Sequence, residues 1–453
     1  MSTQKITPLS GFPEWLPEQR VVEQVFLDEI RATFESHGFA AIETRAVEPV
    51  DRLLGKGGDA DKEIYGVTRL AARAQGRGDS DGELGLHFDL TVPFARYVLE
   101  NAGKLVFPFR RYQIQKVWRG ERPQDGRFRE FLQADIDIVD VGQLPFHYEV
   151  ELPLVIADAF SRLPVGPFRI QVNNRRIPEG FYLGLGIPAD DVVTVLRIVD
   201  KVDKVGVSTC QSMLVEAGRT PEQAQRCLDL AGICTSDVSF VEQVRALGVE
   251  HPVLDEGLAQ LAAVMEAAAV HAPGLLVADL KVARGLDYYT GTVYETQLIG
   301  QESYGSVCSG GRYDALASDG RTTYPGVGIS IGVSRLVSRL MPTLQASRRT
   351  PSAVLVSLAA EDDRAAAMQV AAGLRSRGVA CEVAPSAAKF GKQIKFADRR
   401  GIPFVWFMTA DATRPGVWSH SVKDIRSGEQ MDADPQRWMP PAEDLRPRIT
   451  PVV

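Results

Sequence analysis

The stretch FRRYQIQKVWRGERPQDGRFREFLQADIDIVD, residues 109–140, decides how this chain folds. It reads as two β-strands, Phe109–Arg119 and Phe128–Asp140, joined by the charged, exposed loop GERPQDGR. Successive strand side chains point to opposite faces. In the second strand Leu132, Ala134, Ile136 and Ile138 therefore share one face, and Gln133, Asp135 and Asp137 share the other. A polar row facing inward belongs to a site more often than to a core. Arg119 and Glu121 stand at the end of the first strand, answered by Gln133 and Asp137 on the next. Alone, Arg119 reads equally well as half of a strand-end ion pair.

Working outward, Pro17–His37 carries Val21, Val22, Val25, Phe26, Ile30 and Phe34 at helical spacing. Pro17 suits a first turn and Gly38 the position past the end. Asp51–Gly85 is rich in Gly, Asp and Arg and reads as a polar loop with a short strand around Ile64–Leu70. A lid over a neighbouring site fits that texture. From Gly180 to Ala272, Ala, Leu and Val recur at helical spacing, which predicts a helical insertion. Thr220-Pro221-Glu222-Gln223 is a capping box, and Ser239 with Glu242 repeats it. Strands are expected at Leu280–Ala283, Gly291–Leu298 and Gly326–Ile331. Pro342–Pro351 has the composition of a linker. Beyond it, AVLVSL, VACEVA and PFVWFM alternate with two helices, a βαβαβ unit with a largely parallel sheet.

The 453 residues suffice for about three domains. Apolar residues make up 45% and charged residues 24%, an ordinary globular balance. With 51 basic and 58 acidic residues the net charge is −7, so any polyanion site must be a local patch. None of the five cysteines forms a Cys-x-x-Cys pair, which argues against a zinc site or a disulfide framework. Free, mostly buried thiols fit better. The N-terminus lacks a signal-peptide core and no stretch reaches membrane-span length, so a cytoplasmic protein is expected.

Further clusters invite both plain and chemical readings. Asp89-Leu90-Thr91 could merely cap the helix that follows. Arg284-Gly285-Leu286-Asp287-Tyr288-Tyr289 could place its tyrosines in a core and at an edge. Gly310-Gly311-Arg312-Tyr313-Asp314, then Gly326–Gly332 and Arg335, resembles a phosphate loop but lacks the Lys-Ser/Thr ending of a Walker motif. Lys389, Lys392 and Lys395 on one helix could be a solvated face.

Together these stretches resemble the class II aminoacyl-tRNA synthetases, and the histidyl family in particular. FRRYQIQKVWRGERPQDGRFREFLQADIDIVD looks like the second class-defining motif. GGRYDALA with GVGISIGVSRL looks like the third, and DLTVPFARY like the loop that holds the substrate amino group. RGLDYYTGTVYE looks like the signature that other class II enzymes lack. AAKFGKQIKFADRRGIPFVWF and SVKDIRSGEQ resemble the family's anticodon-binding domain.

The resemblance implies an α+β fold: a class II antiparallel sheet flanked by helices, with a helical insertion and a C-terminal α/β anticodon-binding domain. The catalytic domain would span 1–345, the insertion 180–272 and the anticodon domain 352–453. The first class motif usually places a proline after the N-terminal helix. Arg45 stands there instead, with Pro49 nearest. A homodimer is thus implied by the family rather than by this segment.

The implied reaction joins L-histidine to ATP and then to tRNA(His), with Mg²⁺ bridging phosphate oxygens. Arginine suits it, because a permanently charged guanidinium binds phosphate or carboxylate in two places. By the resemblance, Arg119 and Arg284 flank the α-phosphate and the substrate carboxylate as catalytic cations. Arg127 reaches the triphosphate, Arg335 holds its γ-phosphate end or stacks near the adenine, and Glu121 accepts from the adenine amino group. Asp89, Leu90, Thr91 and Gln133 surround the α-ammonium. Asp137 and Tyr289 meet the imidazole nitrogens, while Tyr288 and Tyr313 wall the pocket. Arg122 and Gln124 touch the tRNA acceptor end, and the Lys389–Lys395 stripe faces the anticodon stem. A regulatory paralogue without ligase activity fits less well, because Arg284, Gln133, Asp137 and the C-terminal domain are all present.

Overall fold

The computed structural model describes residues 6–54, 63–71, 83–283, 288–411, 413–414 and 416–452. Much of the Asp51–Gly85 loop, and Arg284 to Asp287 of the signature, lie outside them. The lid expectation therefore falls largely outside the described residues. Two compact units divide the chain: Met1–Pro13 with Leu27–Leu336, and Glu14–Phe26 with Val337–Val453.

Helix α1 spans Pro17–Ser36, and Gly38 past its end takes a positive φ of 78°, as the sequence suggests. Val22, Phe26, Ile30 and Phe34 form its buried stripe. Short strand β1 (Ala40–Ala41) follows. Strands β2 (Val47–Pro49), β3 (Gly66–Val67) and β4 (Leu84–Leu86) make a small sheet in the order β2-β4-β3. Only two residues of the strand expected over Ile64–Leu70 pair. Helix α2 (Thr91–Asn101) leads into β5 (Phe109–Trp118) and β6 (Glu130–Val139), which run antiparallel over ten paired positions from Phe109↔Val139 to Trp118↔Glu130.

The remaining strands of the large sheet are β7 (Phe168–Asn174), β8 (Cys234–Thr235), β9 (Leu276–Asp279), β10 (Tyr289–Leu298), β11 (Cys308–Tyr313) and β12 (Gly326–Ile331). Nine strands lie in the order β1-β5-β6-β12-β11-β10-β7-β9-β8. The pairs β1–β5 and β7–β9 are parallel; the others are antiparallel. Ala134, Ile136 and Ile138 are fully buried, as their alternation demands.

The insertion is helical but not wholly so, since β8 ties it to the sheet through β9. The Thr220 box is formed: its hydroxyl accepts from the Gln223 amide, and Gln223 reaches back to the Thr220 amide. The Ser239 box is not. Ser239 has helical φ and ψ, which aim its hydroxyl away from the helix, and it donates to Asp237 instead.

The strand expected over Leu280–Ala283 ends four residues earlier, at Asp279. The Val282 amide turns back to the Asp279 carbonyl at 3.1 Å. Side chains of β7 and its continuation then take the freed carbonyls. Asn173 donates to Leu280 and Val282 at 3.1 and 3.0 Å, and Arg175 donates to Ala283 at 2.6 Å. One backbone bond remains, from the Leu280 amide to the Ile233 carbonyl at 3.0 Å; beyond it, residues 281–283, which lead into Arg284, are fastened chiefly by side chains.

The second unit holds β13 (Leu344–Ala346), β14 (Val354–Val356), β15 (Cys381–Val383), β16 (Phe404–Ala410), β17 (Trp418–Asp424), β18 (Gln430–Asp432) and β19 (Ile449–Pro451). Its five-stranded sheet runs β15-β14-β16-β17-β18. The first three strands are parallel, as expected; β17 and β18 add an antiparallel edge that the βαβαβ reading did not include. The Pro342–Pro351 segment is not a bare linker. Its β13 pairs with β19, and Arg348 is buried, donating to the Asp444 carbonyl at 2.7 Å. Of the five free cysteines, all but Cys234 are buried.

Candidate active site

Directly opposed residues on neighbouring strands share a face of the sheet. One such row crosses six strands: Gln113, Asp135, Ser330, Ser309, Glu295 and Gln171. Every member is polar. The next row holds Arg111, Asp137, Gly328 and Gly311. A β-carbon on Gly328 would strike the Asp137 carboxylate, and one on Gly311 would fall 2.9 Å from the Tyr289 ring. The two glycines hollow a trough between charged side chains and an aromatic wall. Thr91, Asp135, Asp137, Tyr289 and Tyr313 line it around an open space of about 220 Å³.

At its centre Asp137 is almost fully buried. Its Oδ1 accepts from the Tyr313 hydroxyl at 2.7 Å, and its Oδ2 meets Arg111 Nη2 at 2.5 Å. Arg111 is itself completely buried, with its guanidinium 4.3 Å from the Phe94 ring centre. Asp135 accepts from the Ser330 hydroxyl, which in turn accepts from Gln133 Nε2 at 2.8 Å. Burial pushes the carboxyl of Asp135 up to about 7 and that of Asp137 to about 6, although Arg111 opposes both shifts. Removing a carboxylate from water disfavours its charged form.

Asp89 combines its two sequence readings. Oδ1 accepts from the Val92 amide at 3.1 Å and so caps α2. Oδ2 is buried with no hydrogen-bond partner among the described residues. Burial raises this carboxyl to about 6, against the Val92 amide and the charge of Arg119. Gln133 Oε1 is a second buried acceptor without a partner among the described residues. Leaving such groups unpaired costs about 1–3 kcal/mol each, a cost that a ligand carrying donors removes. The Leu90 side chain is fully buried in the core, so only its backbone can face a ligand. Tyr288 packs its ring edge-on to Tyr289 and Tyr313.

Arg119 lies one residue past the end of β5. Its Nε donates to the Phe88 carbonyl at 3.0 Å, and its guanidinium lies 5.1 Å from the Phe131 ring. Gln115 and Arg111, not Arg119, are the strand partners of Gln133 and Asp137. Glu121 pairs with Arg127 at 3.4 Å, and both act electrostatically on Arg335. Arg335 stacks 4.4 Å over Tyr304. Glu121, Arg127 and Arg335 thus lie together in one charged group. Arg122 and Gln124 are exposed at the tip of the 120–127 loop, where Gln124 and Arg127 bond each other's backbone. Lys389, Lys392 and Lys395 are exposed in the second unit.

Sequence reasoning missed Arg111, Ser309 and Ser330. The alternation Arg111-x-Gln113-x-Gln115, matched to Gln133-x-Asp135-x-Asp137, was the available signal.

A mainly antiparallel sheet carrying a buried arginine-carboxylate trough and a charged hairpin loop defines the class II aminoacyl-tRNA synthetase fold. A family model described as histidyl-tRNA synthetase matches residues 11–336, and one described as anticodon binding domain matches 352–435. A histidine–tRNA ligase of Micrococcus luteus is 59% identical over 97% of this chain and 98% of its own length. Its counterpart in Cutibacterium acnes is 55% identical over 98% and 99%. The crystal structure of histidyl-tRNA synthetase from Nostoc sp. superposes with a TM-score of 0.83 at 34% identity, covering 95% of this chain and 97% of that one. The chain belongs to the histidyl-tRNA synthetase family.

Proposed function

We propose that the chain activates L-histidine with ATP to histidyl-adenylate and transfers the histidyl group to the 3′ end of tRNA(His). The supporting observation is a pair of buried acceptors, Asp89 Oδ2 and Gln133 Oε1, without partners among the described residues, in one site with Arg119 and the Asp137 trough. An α-ammonium supplies the donors those acceptors need. A carboxylate suits Arg119, and an imidazole N–H suits Asp137, with Tyr289 at the other nitrogen. Thr91 and the Leu90 backbone close the amino-group end; Tyr288 and Tyr313 wall the ring.

In the first step the histidine carboxylate attacks the α-phosphorus and pyrophosphate leaves. Arg119 and Arg284 are the cations for the charge that develops there, acting by position and electrostatics. Glu121, Arg127 and Arg335 hold the nucleotide. In the second step a terminal ribose hydroxyl attacks the acyl carbon and AMP leaves. Arg122 and Gln124 guide the acceptor end. The 1–345 portion would carry the chemistry, with 180–272 as its insertion, and 352–453, with its lysine stripe, would meet the anticodon stem. Among the described residues no group of three acidic, His or Cys side chains is arranged to hold a metal. Mg²⁺, which keeps most of its waters and takes few protein ligands, would be held chiefly by the triphosphate oxygens. No helix of the described residues is long and apolar enough to cross a membrane. A cytoplasmic homodimer completes the reading.

The test is ATP–pyrophosphate exchange with each of the twenty amino acids. Exchange should depend on histidine alone and vanish in Arg284→Ala. Arg122→Ala should keep exchange while losing tRNA charging. Absence of exchange from folded wild-type protein would refute the ligase reading.

A further inference from the structure

Asp137 and Asp135 face the same trough but differ in what they have left to give. Both oxygens of Asp137 are already engaged, one by Tyr313 and one by Arg111. Asp135 receives one hydrogen bond, from Ser330 to Oδ1; its Oδ2 accepts none among the described residues. Yet Asp135 lines the cavity and is only 2% exposed. A buried carboxylate with an open oxygen beside a ligand cavity is a group awaiting a donor.

The spacing matches one kind of donor. Residues two apart on a strand lie roughly 7 Å apart, twice the strand rise. That is about the span of an imidazole ring with an acceptor hydrogen-bonded at each nitrogen. We propose that Asp135 is a specificity-determining residue of the histidine pocket, receiving the ring N–H that Asp137 does not take, so that histidine is bound with a hydrogen on both ring nitrogens. The inference rests on the histidine reading above and deepens it. Tyr289 then closes the cavity beside the ring instead of supplying its second partner alone.

A cationic ring between them favours the ionised form of both carboxyls, and the ionised pair leaves no place for a bare ring nitrogen, whose lone pair would meet an oxygen lone pair. The groups that bear on Asp135 are few. Arg111 reaches it from β5 and Asp137 from its own strand. Asp89 acts from the loop before α2, and Ser330 from β12. Gln113 is its opposed neighbour on β5, and Tyr289 and Tyr313 face the cavity from β10 and β11. Arg111 supplies the cationic charge for the acidic pair, already bound to Asp137. The ring proton supplies the second positive charge.

Histidine labelled with ¹⁵N in the ring, bound to the full-length wild-type protein at pH 7, tests this directly. Both nitrogens should resonate as protonated nitrogens; one protonated and one bare nitrogen would overturn the proposal. Exchange kinetics give a second readout. Wild-type KM for histidine should rise as pH climbs from 6 to 8.5, because the free ring loses its second proton. In Asp135→Asn the amide can donate as well as accept, so that rise should flatten. At pH 6 the variant's KM for histidine should exceed the wild-type value at least tenfold, with KM for ATP moving less than twofold. An unchanged KM and pH profile in Asp135→Asn would sink the assignment while leaving histidine-dependent exchange intact. Loss of histidine dependence in the wild type would instead remove the functional reading beneath it.

Discussion

Replacing Arg111 by methionine would leave the buried Asp137 with only the Tyr313 hydroxyl, and Asp135 with no cation opposite it. Stranding a buried charge costs about 3–5 kcal/mol. Arg111→Met should therefore lower the unfolding free energy by that order in urea denaturation, whatever its effect on activity. The same acids set a pH dependence. Asp135 titrates near 7 and Asp137 and Asp89 near 6 in the folded chain, against about 3.9 for an unfolded aspartate. The folded form thus keeps protons that the unfolded chain has released. Their contribution to stability is full below about pH 4 and is lost as pH rises through 6 to 7. Thermal melts should show Asp135→Asn gaining on the wild type between pH 5 and pH 8. An unvarying difference across that range would refute the assignment.

Elements answer to local chemistry, and two helix starts make a controlled comparison. Thr220 caps Pro221–Ala231 with both bonds of the box formed, whereas the Ser239 hydroxyl bonds Asp237. Thr220→Ala should cost about 1 kcal/mol and Ser239→Ala less than about 0.5 kcal/mol by denaturant unfolding. Equal losses would contradict these bonds. The sequence pattern was the same at both sites; the difference lies in φ and ψ, which residue types alone do not set. Strands show the same division. The β5–β6 pair was legible because one face is apolar and a register slip would turn the polar row into the core. The Leu280–Ala283 strand was misread because a short, mostly apolar stretch carries no record of which partner takes its carbonyls. Arg111 escaped notice because a charged residue in an alternating strand looks exposed until its buried partner is known. Gln133 and Asp137 were legible through the alternation of their strand as well as their motif, whereas Asp89 and Tyr313 were legible through their motifs alone.

At the scale of the molecule, the sequence's domain boundary and the structure's differ in one instructive place. Residues 342–351 read as a linker, yet β13 inside them pairs with β19, and Arg348 is buried against Asp444 and the Thr350 and Pro351 carbonyls. A polar stretch bounded by prolines marks a turn-rich path but says nothing about a three-residue strand whose partner lies about a hundred residues on. A fragment beginning at residue 352 strips β19 of its partner. A fragment of residues 343–453 should melt several degrees above one of 352–453 in circular dichroism; matching melting curves would mean that the β13–β19 pair contributes nothing.

The backbone of residues 280–283 hangs from Asn173 and Arg175 by three hydrogen bonds. Each is worth about 0.5–1.5 kcal/mol net. The stretch before Arg284 is therefore a tether with side-chain latches. Two rotamer changes would free its three carbonyls, while the Leu280 amide stays on the Ile233 carbonyl at 3.0 Å and every strand of the sheet keeps its register.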